Sequence, residues 1–123
     1  MSLEIGMKNT VSITVTDDMC ADHFDSQLPQ LVLPHVFSTP HMINMMELTC
    51  GELMNRYLEA DRCSVGMAVD IKHLAATPAG EKVTCEVEIT EIDGKKILFS
   101  VKAFDKNGLI GVGTHKRAVI KKS

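Results

Sequence analysis

The apolar residues of this chain follow a helical period over residues 40–58, and from residue 63 onward the period falls to two. A single switch of this kind permits few folds, because one amphipathic helix and the strands after it must bury their apolar sides on each other. Thr39-Pro40 opens the helix: Thr39 reads as the N-cap, Pro40 suits the first helical position, and a residue before proline is pushed out of the α region. On a helical wheel Asn44, Gly51, Glu52, Asn55 and Glu59 share one face. The opposite face carries Ile43, Met46, Cys50, Leu53, Met54 and Tyr57, so one broad side must be buried.

Strands are predicted at 63–74, 81–93, 96–105 and 109–121. Gly94 with Asp93 and Lys95, and the pair Asn107-Gly108, supply turns that make successive strands antiparallel hairpins, and Pro78-Ala79-Gly80 punctuates the remaining junction. Ahead of the helix, residues 11–16 alternate as a half-buried strand and a short helix or turn runs through 17–24. Residues 25–38, with Pro29 and Pro34, read as an irregular loop whose Leu31, Val32 and Leu33 pack inward. An α+β fold satisfies this order, with a curved antiparallel sheet wrapped around one long central helix. At 123 residues the chain forms a single domain over 1–123.

Aromatic residues make up only 4% of the chain, with no Trp and eight Met, so aliphatic and thioether side chains fill the core. Residues 1–62 hold 3 Lys/Arg against 9 Asp/Glu, and residues 63–123 hold 10 against 7. The mildly basic second half suits either a phosphorylated ligand such as a CoA nucleotide or a solvated sheet face. Nucleic acid is not an expected partner, since the chain has neither a dense basic stripe nor aromatics for base stacking. Cys20, Cys50, Cys63 and Cys85 form no Cys-x-x-Cys pair and follow no signal-peptide pattern, so reduced thiols and a cytoplasmic location are expected. The most apolar stretch, 42–58, contains Asn44, Glu47, Glu52, Asn55 and Arg56, which argues against a membrane span.

Three residues stand out. Glu47 lies beside Ile43, Cys50 and Met54 on the wheel, where a carboxylate is costly unless hydrogen-bonded. It is either a helix-boundary glutamate reaching solvent or a partner subunit, or a carboxylate reserved to attack or to activate water. His73 ends the row Val65, Met67, Val69 and Ile71 on one side of its strand, as a structural histidine or one aimed into a pocket. Thr39 is accounted for by capping alone. His23, His35, His41 and His115 lack zinc-site spacing, so no metal is expected. Gly-x-Ser-x-Gly, phosphate-loop and dinucleotide patterns are absent, and Gly111-Val112-Gly113 reads as a place where a strand bends or another backbone approaches.

Taken together, Val36-Phe37-Ser38-Thr39-Pro40, Met45-Met46-Glu47, residues 72–78 (Lys-His-Leu-Ala-Ala-Thr-Pro) and residues 111–120 resemble the fluoroacetyl-CoA thioesterase-like family of hot-dog proteins. The motifs stand in order, eight residues from Thr39 to Glu47 and twenty-six from Glu47 to His73, over about residues 10 to 120. The resemblance implies an acyl-CoA thioesterase with a catalytic Thr39, Glu47 and His73 set, Gly66 near the thioester and Arg117 on the closing strand. It places Leu33 and Phe37 in the substrate-binding loop region, where the fluoroacetyl-specific enzyme carries phenylalanines and this chain has Gln30 and Leu33. A short or small acyl group is the implied substrate, and fluoroacetate selectivity is not.

Under this reading Glu47 is the nucleophile or the base for water, Thr39 orients it by hydrogen bond, His73 handles a proton, and the helix N-terminus stabilises the oxyanion. No cofactor is needed. A single sheet around one helix leaves edge strands open, so a homodimer with a shared pocket is expected and higher oligomers are left open. Two alternatives remain on the same fold: a non-catalytic acyl-CoA or small-ligand binding protein, and a hydratase or dehydratase.

Overall fold

In the computed structural model, which describes residues 2–23, 28 and 30–123, helix α1 (Thr39–Asn55) lies across a five-stranded sheet. The strands are β1 (Lys8–Thr14), β2 (Arg62–His73), β3 (Lys82–Asp93), β4 (Lys96–Asp105) and β5 (Gly108–Lys121). Their order is β1-β3-β4-β5-β2, with every neighbouring pair antiparallel. This is the α+β hot-dog architecture that the patterning and the resemblance imply. Both edges, β1 and β2, are separated in sequence by the helix, so α1 crosses the concave face between them.

The core follows the wheel at Met46, Cys50, Leu53 and Met54, but Tyr57 lies beyond the helix and is exposed, Ile43 is only half-buried, and Met42 and Met45 join the core instead. Met42, Met46, Cys50, Leu53 and Met54 from α1 meet Val83, Cys85, Val87 and Ile89 from β3 and Ile97, Phe99, Val101 and Ala103 from β4. Each fully buried aliphatic or thioether side chain contributes roughly 1.5–3 kcal/mol. Two glycines of β5 make close approach possible. A Cβ at Gly111 would lie 2.5 Å from Met42 Sδ, and one at Gly113 would overlap the Asp70 carbonyl oxygen of β2. The Gly111–Gly113 segment thus serves packing.

Several expectations need correction. Ser38, not Thr39, is the N-cap: its Oγ accepts the His41 N–H at 3.1 Å, and Thr39 is the first helical residue. The helix stops at Asn55 instead of running to 58, because the last turn tightens and Tyr57 N–H donates to the Met54 carbonyl. Upstream, the short helix or turn expected through 17–24 is 3-10 at Asp17–Met19 and again at residues 21–23. The loop predicted over 25–38 lies partly outside the described residues, as does Phe24. Of its apolar run, Val32 is 88% exposed and Leu31 39%, since nothing in a single chain covers them.

Residues 36–38 are firmly held, with Ala21 N–H donating to Val36 O, Phe37 N–H to Thr77 O and Ser38 N–H to Met19 O at 2.7–2.9 Å. Among the described residues no helix is long and apolar enough to cross a membrane.

Strand β2 departs most from its expected pattern. A bulge between Gly66 and Ala68 shifts its register against β5, so Gly66 pairs with Arg117 while Val69 pairs with His115, Ile71 with Gly113 and His73 with Gly111. Directly opposed residues share a face. Val65 therefore falls on the other side from Val69, Ile71 and His73, and Gly66 takes the helix-facing place. The expected single row from Val65 to His73 is broken in phase by one extra residue.

Candidate active site

The start of α1 and the end of β2 form one polar cluster. Because Ser38 takes the capping role, the Thr39 hydroxyl is available to His73, and Thr39 Oγ1 lies 2.8 Å from His73 Nδ1. His73 Nε2 is enclosed and has no hydrogen-bond partner among the described residues. Leaving such a nitrogen unpaired costs about 1–3 kcal/mol, which marks it as a group awaiting a partner. Burial holds the imidazole below its ordinary pKa, so it is neutral at neutral pH. Thr39 and His73 line an open recess of about 370 Å³ with Val36, Phe37 and Leu74.

Glu47 belongs to a second cluster, two turns further along α1. Eight residues of helix separate it from Thr39 by about 12 Å along the axis, so Thr39 does not orient Glu47 within one chain. Within one chain the partner of Thr39 is His73. The Glu47 carboxylate rests directly on Gly66, where any Cβ would collide with its Oε1. His115 Nε2 lies 3.8 Å from the same oxygen. The side chain of Glu47 is 38% exposed and opens into a cleft of about 720 Å³ shared with Gly51, Ser64, Gly66 and Arg117.

Arg117 is held from three directions. Its Nε donates to Ser64 Oγ at 3.0 Å, Nη2 to the Ser64 carbonyl at 3.1 Å, and Nη1 to His115 Nε2 at 3.2 Å. The guanidinium lies over Gly51, its carbon 3.5 Å from where a Cβ would stand, an ordinary contact distance.

Among the residues singled out in the sequence, the fold brings Thr39 to His73, and Glu47 to Gly66 and Arg117. Leu33 is half-buried near the first cluster in sequence but does not line its recess, and Phe37 is a core residue at 1% exposure that does. Sequence reasoning passed over His115, which is 1% exposed and joins the second cluster. Its signal was present in the strand period, since His115, Arg117 and Val119 alternate onto one face of β5. Among the described residues no cluster of His, Cys, Asp and Glu is arranged to hold a metal ion.

A model of the fluoroacetyl-CoA-specific thioesterase family, FlK, matches residues 15–123. The chain belongs to the FlK family of hot-dog thioesterases. It is 35% identical over 119 residues to the fluoroacetyl-CoA thioesterase of Streptantibioticus cattleyicolor, covering 96% of this chain and 86% of that protein. A solved structure of FlK superposes with a TM-score of 0.92 at 34% identity, over 98% of this chain and 90% of FlK. A Thermus thermophilus protein described as a thioesterase superfamily member superposes with a TM-score of 0.90 at 25% identity, over 99% of this chain and 88% of that one. As an FlK-family protein the chain is a thioester hydrolase.

Proposed function

We propose that this protein hydrolyses a short or small acyl-CoA thioester to the free acid and CoA, with Glu47, His73 and Thr39 as its reacting and assisting groups. The observation that carries the reading is the Glu47 carboxylate seated on Gly66 at the floor of an open cleft, with a fixed cation alongside. Glu47 attacks the thioester carbonyl or removes a proton from the attacking water. His73, neutral and with an unpaired Nε2, positions water or protonates the departing thiolate, and Thr39 holds its ring through Nδ1. The helix pole assists, although Pro40 has no N–H and that of His41 is committed to Ser38.

The working enzyme is a homodimer. In one chain the two clusters are too far apart to act on one carbonyl. Val65, Met67 and Val69 of edge strand β2 are 42–48% exposed, an apolar edge that a second copy can cover. Antiparallel pairing of β2 with its own copy, centred on Asp70, would set Ile71 of one chain opposite Val69 of the other and, because the bulge adds a residue, His73 opposite Gly66. Each site would then join Glu47 and Arg117 from one protomer to Thr39 and His73 from its partner. Free cysteines at 20, 50, 63 and 85 fit a reducing, cytoplasmic setting.

Thiol release from a panel of short, branched, aromatic and long acyl-CoAs tests the reading. Turnover concentrated on small acyl groups is expected. Binding without thiol release would favour a ligand-binding protein, and loss of enoyl absorbance without thiol release a hydratase.

A further inference from the structure

His115 is buried, polar and unassigned, and its contacts define its protonation. Nδ1 lies 2.9 Å from the Ala68 carbonyl oxygen, an acceptor only, so Nδ1 carries the proton and donates. Nε2 is then a lone pair, and it accepts Nη1–H of Arg117. Ala68 follows directly on the β2 bulge. With two further donations to Ser64, three of the five guanidinium N–H donors are committed. Although Arg117 and Glu47 both flank Gly66, no ion pair joins them among the described residues.

We infer that His115 is a positioning residue for Glu47: its neutral imidazole holds the Arg117 guanidinium beside the carboxylate and keeps the two from closing into an ion pair. An arginine–carboxylate fork would bind both carboxylate oxygens and stabilise the ionised form, making Glu47 a poorer nucleophile and a poorer base. Diverted onto His115 and Ser64, the same cation keeps a positive field near the thioester without consuming the lone pairs that react. This inference rests on the proposed role of Glu47.

Two isosteres separate positioning from anchoring. Gln at 115 places an acceptor near the Nε2 position and can still receive Arg117. Asn keeps a donor near Nδ1 for Ala68 but is too short to reach the guanidinium. His115→Asn should lower kcat by about 10- to 100-fold with KM within about threefold, the scale of a displaced reacting group. His115→Gln should keep kcat within about threefold of the parent.

The reverse order, equal effects of the two variants, or loss of the folded state in both would overturn the inference and leave His115 an anchor of the fold. Glu47→Gln is measured alongside. If it is inactive while the two His115 variants behave alike, only this inference fails; if it turns over at the parental rate, the role of Glu47 fails first.

Discussion

Replacing Gly66 by Ala perturbs the site through one methyl group. The new Cβ would fall inside contact distance of Glu47 Oε1 and 3.2 Å from His115 Cε1. Restoring an ordinary carbon–oxygen separation moves the carboxylate by about 1 Å, a displacement that can cost on the order of 10²-fold in rate. Stability should hardly change. Glu47 is partly exposed and its end is free to move, while removing a strand glycine gains about 0.5–1 kcal/mol, offsetting the tight contact with His115.

The expected result is therefore kcat reduced about 100-fold, with the melting temperature within a few degrees of the parent. Thiol release and calorimetry on one preparation read both quantities. Parental turnover in Gly66→Ala would refute the reasoning, because it would mean that the seat of Glu47 on Gly66 has no bearing on catalysis.

Other expectations follow from the same contacts. Glu47→Gln should keep the fold and lower turnover by roughly 10²–10⁴-fold, measured by thiol release. Ser38→Ala should cost about 1 kcal/mol in a denaturant melt, whereas Thr39→Val should leave stability near the parent and lower kcat/KM roughly tenfold through the loss of one hydrogen bond to His73. Burial lowers the pKa of His73 and of His115 below the ordinary 6.5. As pH falls the unfolded chain takes up those protons first, so the stability they contribute is present above about pH 6.5 and is lost as pH drops through the depressed values. His35, raised by Asp22 and Asp17, acts with the opposite sign. The readout is accordingly the difference between parent and His115→Gln: melts at about pH 7.5 and 5.5 should show a smaller acid loss in the variant.

The architecture was legible because every element except β2 keeps its own period closely enough to be placed. Strand β4 occupies the predicted 96–105, and α1 and β5 begin within one residue of their predicted starts. Turn glycines at 94 and 108 adopt positive φ, as the hairpins demand. Two features of the site escaped for local reasons. A bulge adds one residue to β2 and reverses the phase of everything on one side of it; Gly66 inside the strand was its one sequence signal, and the alternation of Val65, Met67 and Val69 masked it.

Ser38 and Thr39 are both competent caps, and only the backbone shows that the first takes the role and frees the second. The catalytic grouping drawn from the resemblance treated Thr39, Glu47 and His73 as neighbours. Helix geometry separates Glu47 from the other two, and that separation makes a second copy of the chain part of the argument.

Complementation between two inactive variants tests that central claim most directly. Glu47→Gln and His73→Ala proteins are mixed, dissociated and reassociated, and thiol release is measured per protomer. Random pairing makes half of the dimers mixed, and each mixed dimer has one site with Glu47 from one chain and His73 from the other, both intact. Shared sites therefore predict about a quarter of the parental activity from two preparations that are each nearly inert. If the mixture stays inert although mixed dimers have formed, Glu47 and His73 act within one chain and the shared site is wrong.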